Sequence, residues 1–228
     1  RGVDNNKDQT YFLCQLNQNQ LNNSLFPIGE LTKPEVRKIA EELDLPVAHK
    51  KDSTGICFIG ERDFREFLKN YIPAKSGKMV DIVSKKVIGE HQGIMYYTIG
   101  QRKGLGIGGN GEPWFVVGKD YDKNILYIAQ GDSNKWLLSH GALITDVNWI
   151  SATKPEGEYD CTAKFRYRQK DNDVSLHFID ETTLYVTFKK PIKAVTPGQA
   201  AVFYDGDVCL GGGTIDKVYK DGKEIDYL

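Results

Sequence analysis

Cys57 is the residue of this chain whose sequence neighbours best suit reactive chemistry. Lys51 precedes it, and Arg62 follows it at the start of a predicted helix. Cations and helix N-terminal N–H groups stabilise the thiolate, the nucleophilic form of cysteine, so a thiol of low pKa could be built here. A second interpretation stays open, because free cysteines are commonly buried: Cys57 could simply pack between Ile56 and Phe58.

The other three cysteines have different surroundings. Cys14, Cys161 and Cys209 lie in apolar or alternating segments, where a free cysteine is typically a small buried side chain. No two cysteines have the Cys-x-x-Cys spacing of a zinc site, and 4 cysteines in 228 residues are too few for a disulfide-stapled secreted scaffold. Cysteine usage therefore favours a reducing, cytoplasmic location.

A segment of alternating cations and aromatic residues is the second candidate for chemistry. Alternate side chains of a β-strand share a face, so the segment predicts a row of cations opposite Phe165 and Tyr167. The cations are Lys164, Arg166, Arg168 and Lys170. Such a row suits phosphate contacts, and Tyr167 or an arginine plane could stack on an unpaired base. The alternative is a solvated strand face without a ligand.

A glycine-rich stretch at 104–109 matches the pattern G-x-G-x-x-G but lacks the context of a nucleotide site. The residues that follow, NGEP at 110–113, prevent the helix that would point N–H groups at a pyrophosphate. We therefore predict a loop. No G-x-x-x-x-G-K-[ST] motif occurs in the sequence, and the 4 histidines lack the paired spacing of a zinc site.

Two helices are predicted in the first third of the chain. Thr32 and Glu35 have the spacing of a capping box, Pro34 lies in the first turn, and an apolar stripe follows. The stripe consists of Val36, Ile39, Ala40 and Leu43. A second helix is predicted over 61–71, before Pro73. Both helices are expected to pack in a core.

From residue 78 onward the hydrophobic period changes to two, which predicts β-strands. Two hairpins are predicted, 78–83 with 86–88 and 114–119 with 125–129. Further strands are predicted at 143–150, 162–168, 174–179, 184–188, 201–204 and 208–218. Six short antiparallel strands in succession are typical of a small closed barrel.

The whole chain has the composition of a globular protein. Of its 228 residues, 40% are hydrophobic and 27% are charged, which excludes a disordered chain. The net charge of −1 argues against a uniformly basic surface but not against a local basic patch. No apolar run is long enough to cross a membrane. The element pattern divides the chain at 1–60, 61–135 and 136–228. Because it begins at Arg1 without a signal sequence, we expect a processed chain or part of a longer one.

Several motifs resemble, in order along the whole chain, those of the bacterial tRNA-specific 2-thiouridylase family (MnmA/TrmU type). The most specific is KDSTGICFIGER at 51–62, around Cys57. The others are NKDQ and YFL within 6–13, GEHQG and GQRKGL within 89–105, FRYRQ at 165–169, and TPGQA and VFY within 196–204.

This resemblance implies a definite chemistry. Family members use ATP with magnesium to adenylate the C2 oxygen of the wobble uridine in tRNA, and then replace that oxygen with sulfur. Cys57 matches the cysteine that carries the sulfur as a persulfide, received from a cysteine desulfurase or a sulfur-relay protein. The family's ATP-binding PP-loop and a second cysteine, which can form a disulfide with the first, precede this motif. Neither occurs in this sequence, and Cys14 does not match the second cysteine. We therefore expect these residues alone to be inactive.

The resemblance also implies binding residues and a fold. The positions that match tRNA contacts are Lys7, Asp8, Gln9, Arg166, Tyr167 and Gln199. The expected fold is an α/β remnant plus mostly β structure. It comprises the tail of an adenine-nucleotide α-hydrolase-like domain at 1–60, a small central domain at 61–135 and a six-stranded β-barrel at 136–228.

Two functions other than tRNA thiolation stay open from the sequence. A non-catalytic RNA-binding barrel, with Cys57 merely packed, would use the same basic segment. A cysteine hydrolase would need a histidine partner, and His49 is the only candidate near Cys57 in the sequence.

Overall fold

The computed structural model describes residues 1–52, 67 and 70–227. The first part of the chain contains a 3-10 turn, η1 (Thr10–Leu13), and two helices, α1 (Gln18–Asn22) and α2 (Lys33–Glu42). The strands β1 to β4 follow in a small sheet, and the strands β5 to β11 form a second sheet. No helix among these described residues is long and apolar enough to cross a membrane.

Helix α2 begins as its sequence predicts. The Glu35 carboxylate accepts hydrogen bonds from the Thr32 backbone N–H at 2.7 Å and from the Thr32 hydroxyl at 2.6 Å. The expectation that its apolar stripe packs in a core is wrong for the described part of the chain. No residue of α2 is buried, and Ile39 remains 41% exposed. The second predicted helix, at 61–71, lies almost entirely outside the described residues.

The small sheet contains both predicted hairpins. Its strands are β1 (Gly77–Asp81), β2 (Val87–His91), β3 (Trp114–Asp120) and β4 (Ile125–Gln130). They lie in the order β2-β1-β4-β3, and the two hairpins join through a parallel pairing of β1 with β4. Met79, Leu126 and Ile128 are fully buried in its core. Residues 104–109 form no helix or strand, as predicted for the glycine-rich stretch.

The second sheet closes into the predicted six-stranded barrel. Its strands are β5 (Leu138–Trp149), β6 (Tyr159–Lys164), β7 (Asn172–Phe178), β8 (Leu184–Lys193), β9 (Ala200–Asp205) and β10 (Val208–Lys220). Adjacent strands pair antiparallel in the order β10-β5-β8-β7-β6-β9, and β9 pairs with β10 to close the ring. The short strand β11 (Lys223–Glu224) extends the end of β10. Phe165, Leu176 and Ile215 fill the interior.

The basic segment is not a continuous strand, so the predicted row of four cations is wrong. Strand β6 ends at Lys164, and the chain turns there because the Gln169 side chain accepts a 2.7 Å hydrogen bond from the Phe165 N–H. Arg168 adopts the left-handed backbone conformation, with φ of 64°. Alternation therefore stops: Phe165 is fully buried in the barrel, whereas Tyr167 packs outside it.

Candidate functional site

Three segments that are far apart in the sequence meet at one side of the barrel. The Tyr11 hydroxyl, in η1, donates a 2.9 Å hydrogen bond to the Ala200 carbonyl at the start of β9. The neighbouring Phe12 ring packs on Tyr167, with ring centroids 4.6 Å apart. A small buried cluster of Tyr11, Cys14 and Tyr204 lies beneath these contacts. The structure thus brings the segments carrying the predicted residues Lys7–Gln9, Arg166–Tyr167 and Gln199 together.

Asp8 organises the first of these segments. Its carboxylate accepts hydrogen bonds from the Thr10 N–H at 3.1 Å, the Thr10 hydroxyl at 2.9 Å and the Gly2 N–H at 3.3 Å. Burial acts to raise the pKa of Asp8, but these hydrogen bonds outweigh it and hold the pKa below its ordinary value. Asp8 therefore shapes the turn that enters η1, while the adjacent Gln9 is exposed to solvent.

Lys7 belongs to a cation cluster, which we define as Lys7, Lys33 and Arg37. All three surround the carboxylate of Asp52, with N···O distances of 2.5, 3.6 and 3.3 Å respectively. The hydrogen bond and charge of Lys7, helped by Arg37 and Lys33, lower the pKa of Asp52 to about 2. Three cations around one carboxylate leave an excess of positive charge on a surface that is open to solvent, which suits an anionic ligand.

Arg166 connects the barrel to the small sheet. One terminal nitrogen, Nη2, donates to the Ile99 carbonyl at 2.6 Å and to the Thr196 hydroxyl at 3.2 Å. Burial lowers the pKa of the guanidinium from its usual value, although arginine remains charged. Among the described residues, no carboxylate forms an ion pair with it. The charge is thus anchored by neutral groups and has no counterion in the described part of the chain.

Gln199 lies beside the groups that hold Arg166 and Tyr11. Its backbone N–H donates to the Thr196 carbonyl at 3.3 Å, and its carbonyl accepts a 2.8 Å hydrogen bond from the Ile215 N–H. Ala200, the next residue, is the acceptor for the Tyr11 hydroxyl. The backbone of Gln199 is therefore fixed by the barrel, whereas the residue itself is exposed and its side chain is available to a ligand.

Cys57 and its motif neighbours from Ser53 to Arg62 lie outside the described residues. The other cysteines are described, and all are free thiols. Cys14 is 3% exposed, which agrees with its predicted burial, and Cys161 and Cys209 are half-buried. Burial, followed by nearby carboxylates, raises the pKa of Cys161 to about 12. Burial, followed by the neighbouring Cys14, raises that of Cys209 to about 11. These thiols are therefore protonated at neutral pH.

The described residues do not fit a site for ATP with magnesium. The sequence has no phosphate-binding glycine loop, and no group of three or more His, Cys, Asp or Glu side chains in the described part of the chain could hold a metal ion. Residues 104–109 have neither the preceding strand nor the following helix of a dinucleotide site. We therefore derive no step through ATP from this structure.

Two features of this surface were not predicted from the sequence. The first is the cation cluster around Asp52, for which the i, i+4 spacing of Lys33 and Arg37 on α2 was an available signal. The second is Phe12, which is 60% exposed beside Tyr167. No local pattern distinguishes the exposed Phe12 from the buried Tyr11, because which of the two rings is covered depends on packing against residues of the barrel that are distant in the sequence.

Family profiles match three consecutive parts of the chain. The tRNA methyl transferase HUP domain matches residues 1–61, the tRNA methyl transferase PRC-barrel domain matches 65–130, and the aminomethyltransferase β-barrel domain matches 139–215. These matches agree with a HUP-type remnant followed by mostly β structure. They also agree with the order of α2, the small sheet and the barrel in the structure.

Curated relatives align with the entire chain. The tRNA-specific 2-thiouridylase MnmA of Bacillus cytotoxicus is 60% identical over 228 residues, and those of Bacillus cereus and Bacillus mycoides are 59% identical. In each case the alignment covers 100% of this chain and 61% of the relative, so the chain spans about three fifths of the length of the relatives it matches. Together with the successive family matches, these identities show that the chain is related along its whole length to MnmA-type proteins.

Proposed function

We propose that this chain is the tRNA-binding and sulfur-carrying part of a tRNA-uridine 2-sulfurtransferase, which thiolates C2 of the wobble uridine. The observation that carries the proposal is the meeting of the three predicted contact segments at Tyr11, Phe12 and Tyr167. The names of the relatives at 59–60% identity support the same activity. The resemblance assigns the ATP-dependent activation of the uridine to a PP-loop that this sequence does not contain.

The proposed division of labour follows the three parts of the chain. Residues 1–60 carry the cation cluster and Cys57, residues 61–135 form a central domain, and residues 136–228 form the barrel that supplies Arg166, Tyr167 and Gln199. Cations contact phosphates and so position the tRNA, while aromatic and amide side chains contact bases. Lys7 and Arg166 supply charge on this surface, and Gln9 and Gln199 supply amides.

The proposed sulfur step uses Cys57. Its thiolate attacks the sulfane sulfur of a donor persulfide on a cysteine desulfurase or a sulfur-relay protein. A new S–S bond forms on Cys57, the donor's S–S bond breaks, and the donor cysteine leaves as a thiolate. The raised pKa values of Cys161 and Cys209 disfavour them as acceptors. A reducing cytoplasm suits this chemistry, since it regenerates free thiols.

A salt titration tests the tRNA-binding half of the proposal. Each lost phosphate contact reduces the slope of log K against log salt concentration by roughly 0.7–0.9. We expect Lys7→Gln to weaken tRNA binding and to reduce the slope by that amount. Lys86→Gln, at an exposed lysine in the β1–β2 turn, is the matched control and should change neither quantity. Equal slopes for the parent chain and Lys7→Gln would remove Lys7 from the interface.

A further inference from the structure

Phe12 is an exposed aromatic residue that is nevertheless held in place. It is 60% exposed, whereas Tyr11 beside it is 8% exposed and anchors η1 to the barrel. The centroid of the Phe12 ring lies 4.6 Å from that of Tyr167, at an interplanar angle of 46°. It lies 5.4 Å from the centroid of Tyr11, and these two rings are nearly perpendicular. The Phe12 backbone N–H donates to the Gln9 carbonyl at 3.0 Å. Backbone and ring contacts therefore fix Phe12 with much of its surface open.

The surroundings of Phe12 favour a nucleic acid as its ligand. Burying an apolar ring lowers the free energy, so an exposed and fixed ring is a favourable surface for a flat apolar partner. Arg168 lies over the Tyr167 ring, with its guanidinium carbon 5.3 Å from the ring centroid. The exposed Gln9 immediately precedes η1 and offers an amide to a base edge. An aromatic pair with an arginine over one ring and an exposed amide close by in the sequence has the side-chain types that recognise single-stranded RNA.

We propose that Phe12, supported from behind by Tyr167, is a stacking platform for one unpaired base of the bound tRNA. The proposal deepens the tRNA-binding function and rests on it. Tyr167 acts here as the support that orients the Phe12 ring, and the ring of Phe12 makes the contact with the base. Stacking of this kind tolerates any base, because every base has a π-face.

Two substitutions of Phe12 separate stacking from charge. Base–aromatic stacking is worth about 1–3 kcal/mol per base, so Phe12→Leu should weaken tRNA binding about 5- to 150-fold. The slope of log K against log salt concentration should not change, because no charge is removed. Phe12→Trp keeps a stacking ring, so it should retain the affinity of the parent chain. Its added indole fluorescence should be quenched on tRNA binding, measured as the difference from the parent chain with its 3 tryptophans.

Tyr121 provides the matched control. It is an aromatic residue of similar exposure, 65%, in the turn between β3 and β4 of the other sheet. Tyr121→Leu should leave both the affinity for tRNA and the salt dependence unchanged. If Phe12→Leu does not fold, which circular dichroism would reveal, the quenching of Phe12→Trp decides the question.

The outcomes distinguish this inference from the proposed function. If Lys7→Gln reduces the salt slope but Phe12→Leu binds tRNA like the parent chain, the platform is refuted and tRNA binding stands. Absence of Phe12→Trp quenching at saturating tRNA also refutes the platform, since the ring is then covered by protein or left in water. If the chain does not bind tRNA at all, both proposals fail together.

Discussion

Replacing Arg166 with lysine tests how much this side chain contributes to holding the barrel against the small sheet. Lysine keeps the positive charge but lacks the planar fork of arginine. In the structure, Nη2 of Arg166 donates hydrogen bonds to the Ile99 carbonyl at 2.6 Å and to the Thr196 hydroxyl at 3.2 Å. Ile99 is only 3% exposed, so water cannot easily replace the lost donor. We expect Arg166→Lys to destabilise the chain while leaving its net charge unchanged.

The magnitude follows from the two hydrogen bonds. A hydrogen bond to a charged group contributes about 1.5–3 kcal/mol, and an unsatisfied buried acceptor costs about 1–3 kcal/mol. If lysine retains one weaker contact, the net loss in the free energy of unfolding is about 2 kcal/mol. With a urea m-value of about 2 kcal/mol/M, the unfolding midpoint should fall by about 1 M.

Urea unfolding followed by tryptophan fluorescence measures this loss. Thr196→Val is a second variant that removes an acceptor of the Arg166 guanidinium. It also removes the 3.1 Å hydrogen bond that the Thr196 hydroxyl donates to the Ala194 carbonyl. Without any change of charge, it should cost about 1–3 kcal/mol. Because both substitutions break the same contact, their effects should not add in the double variant. A loss below about 0.5 kcal/mol for Arg166→Lys, which is typical of an ordinary surface substitution, would refute this contribution. Full additivity with Thr196→Val would refute the hydrogen bond between Arg166 and Thr196.

Three further predictions concern Asp52, Gly100 and the described cysteines. The pKa of Asp52 is depressed from 3.8 to about 2, so its stabilising contribution is complete above about pH 4 and is lost as the pH falls through about 2. Between pH 4 and pH 2, Asp52→Asn should therefore lose less free energy of unfolding than the parent chain does. Identical acid-unfolding curves would exclude a contribution of the ion pairs between Asp52 and the cation cluster to stability. Gly100 has φ of 81°, and a Cβ there would lie 2.9 Å from the Ala194 Cβ. Gly100→Ala should lower the free energy of unfolding by about 1–2 kcal/mol or more, measured in urea. Gly108→Ala is the control: a Cβ there meets nothing within 4 Å, so the loss should be much smaller. Equal losses for the two variants would contradict backbone strain at Gly100. Alkylation followed by peptide mass spectrometry should find Cys14, Cys161 and Cys209 unreactive near neutral pH, because burial raises the pKa of each thiol. Rapid labelling of any of the three at pH 7 would contradict the raised pKa values.

The sequence predicted the elements that local patterns control. Alternation within β7 and β8 identified strands with one buried face, and Val174, Leu176 and Val186 are indeed fully buried. The spacing of Thr32 and Glu35 likewise predicted where α2 begins, and the Thr32 N–H donates to the Glu35 carboxylate there. The barrel followed from the number and spacing of such strands.

The features that the sequence could not predict depend on distant contacts. The parallel pairing of β1 with β4 joins hairpins separated by a long connection, which no local pattern encodes. Just after the end of β6, the Phe165 N–H donates to the Gln169 side chain and Arg168 adopts a left-handed conformation, so alternation beyond Lys164 was misleading. The residues of the candidate site come from the family motifs alone and stay predictions. The assembly of the site was not predictable, because it requires η1 to lie against β9, about 190 residues later in the chain.

The most direct test of the central claim is to detect sulfur on Cys57. The chain is incubated with a cysteine desulfurase and cysteine, trapped with an alkylating reagent, and digested for peptide mass spectrometry. If Cys57 carries the sulfur, the peptide that contains it gains the mass of one sulfur atom, a reductant removes that mass, and Cys57→Ser abolishes it. Absence of added sulfur on Cys57, or equal addition to Cys14, Cys161 and Cys209, would contradict the account.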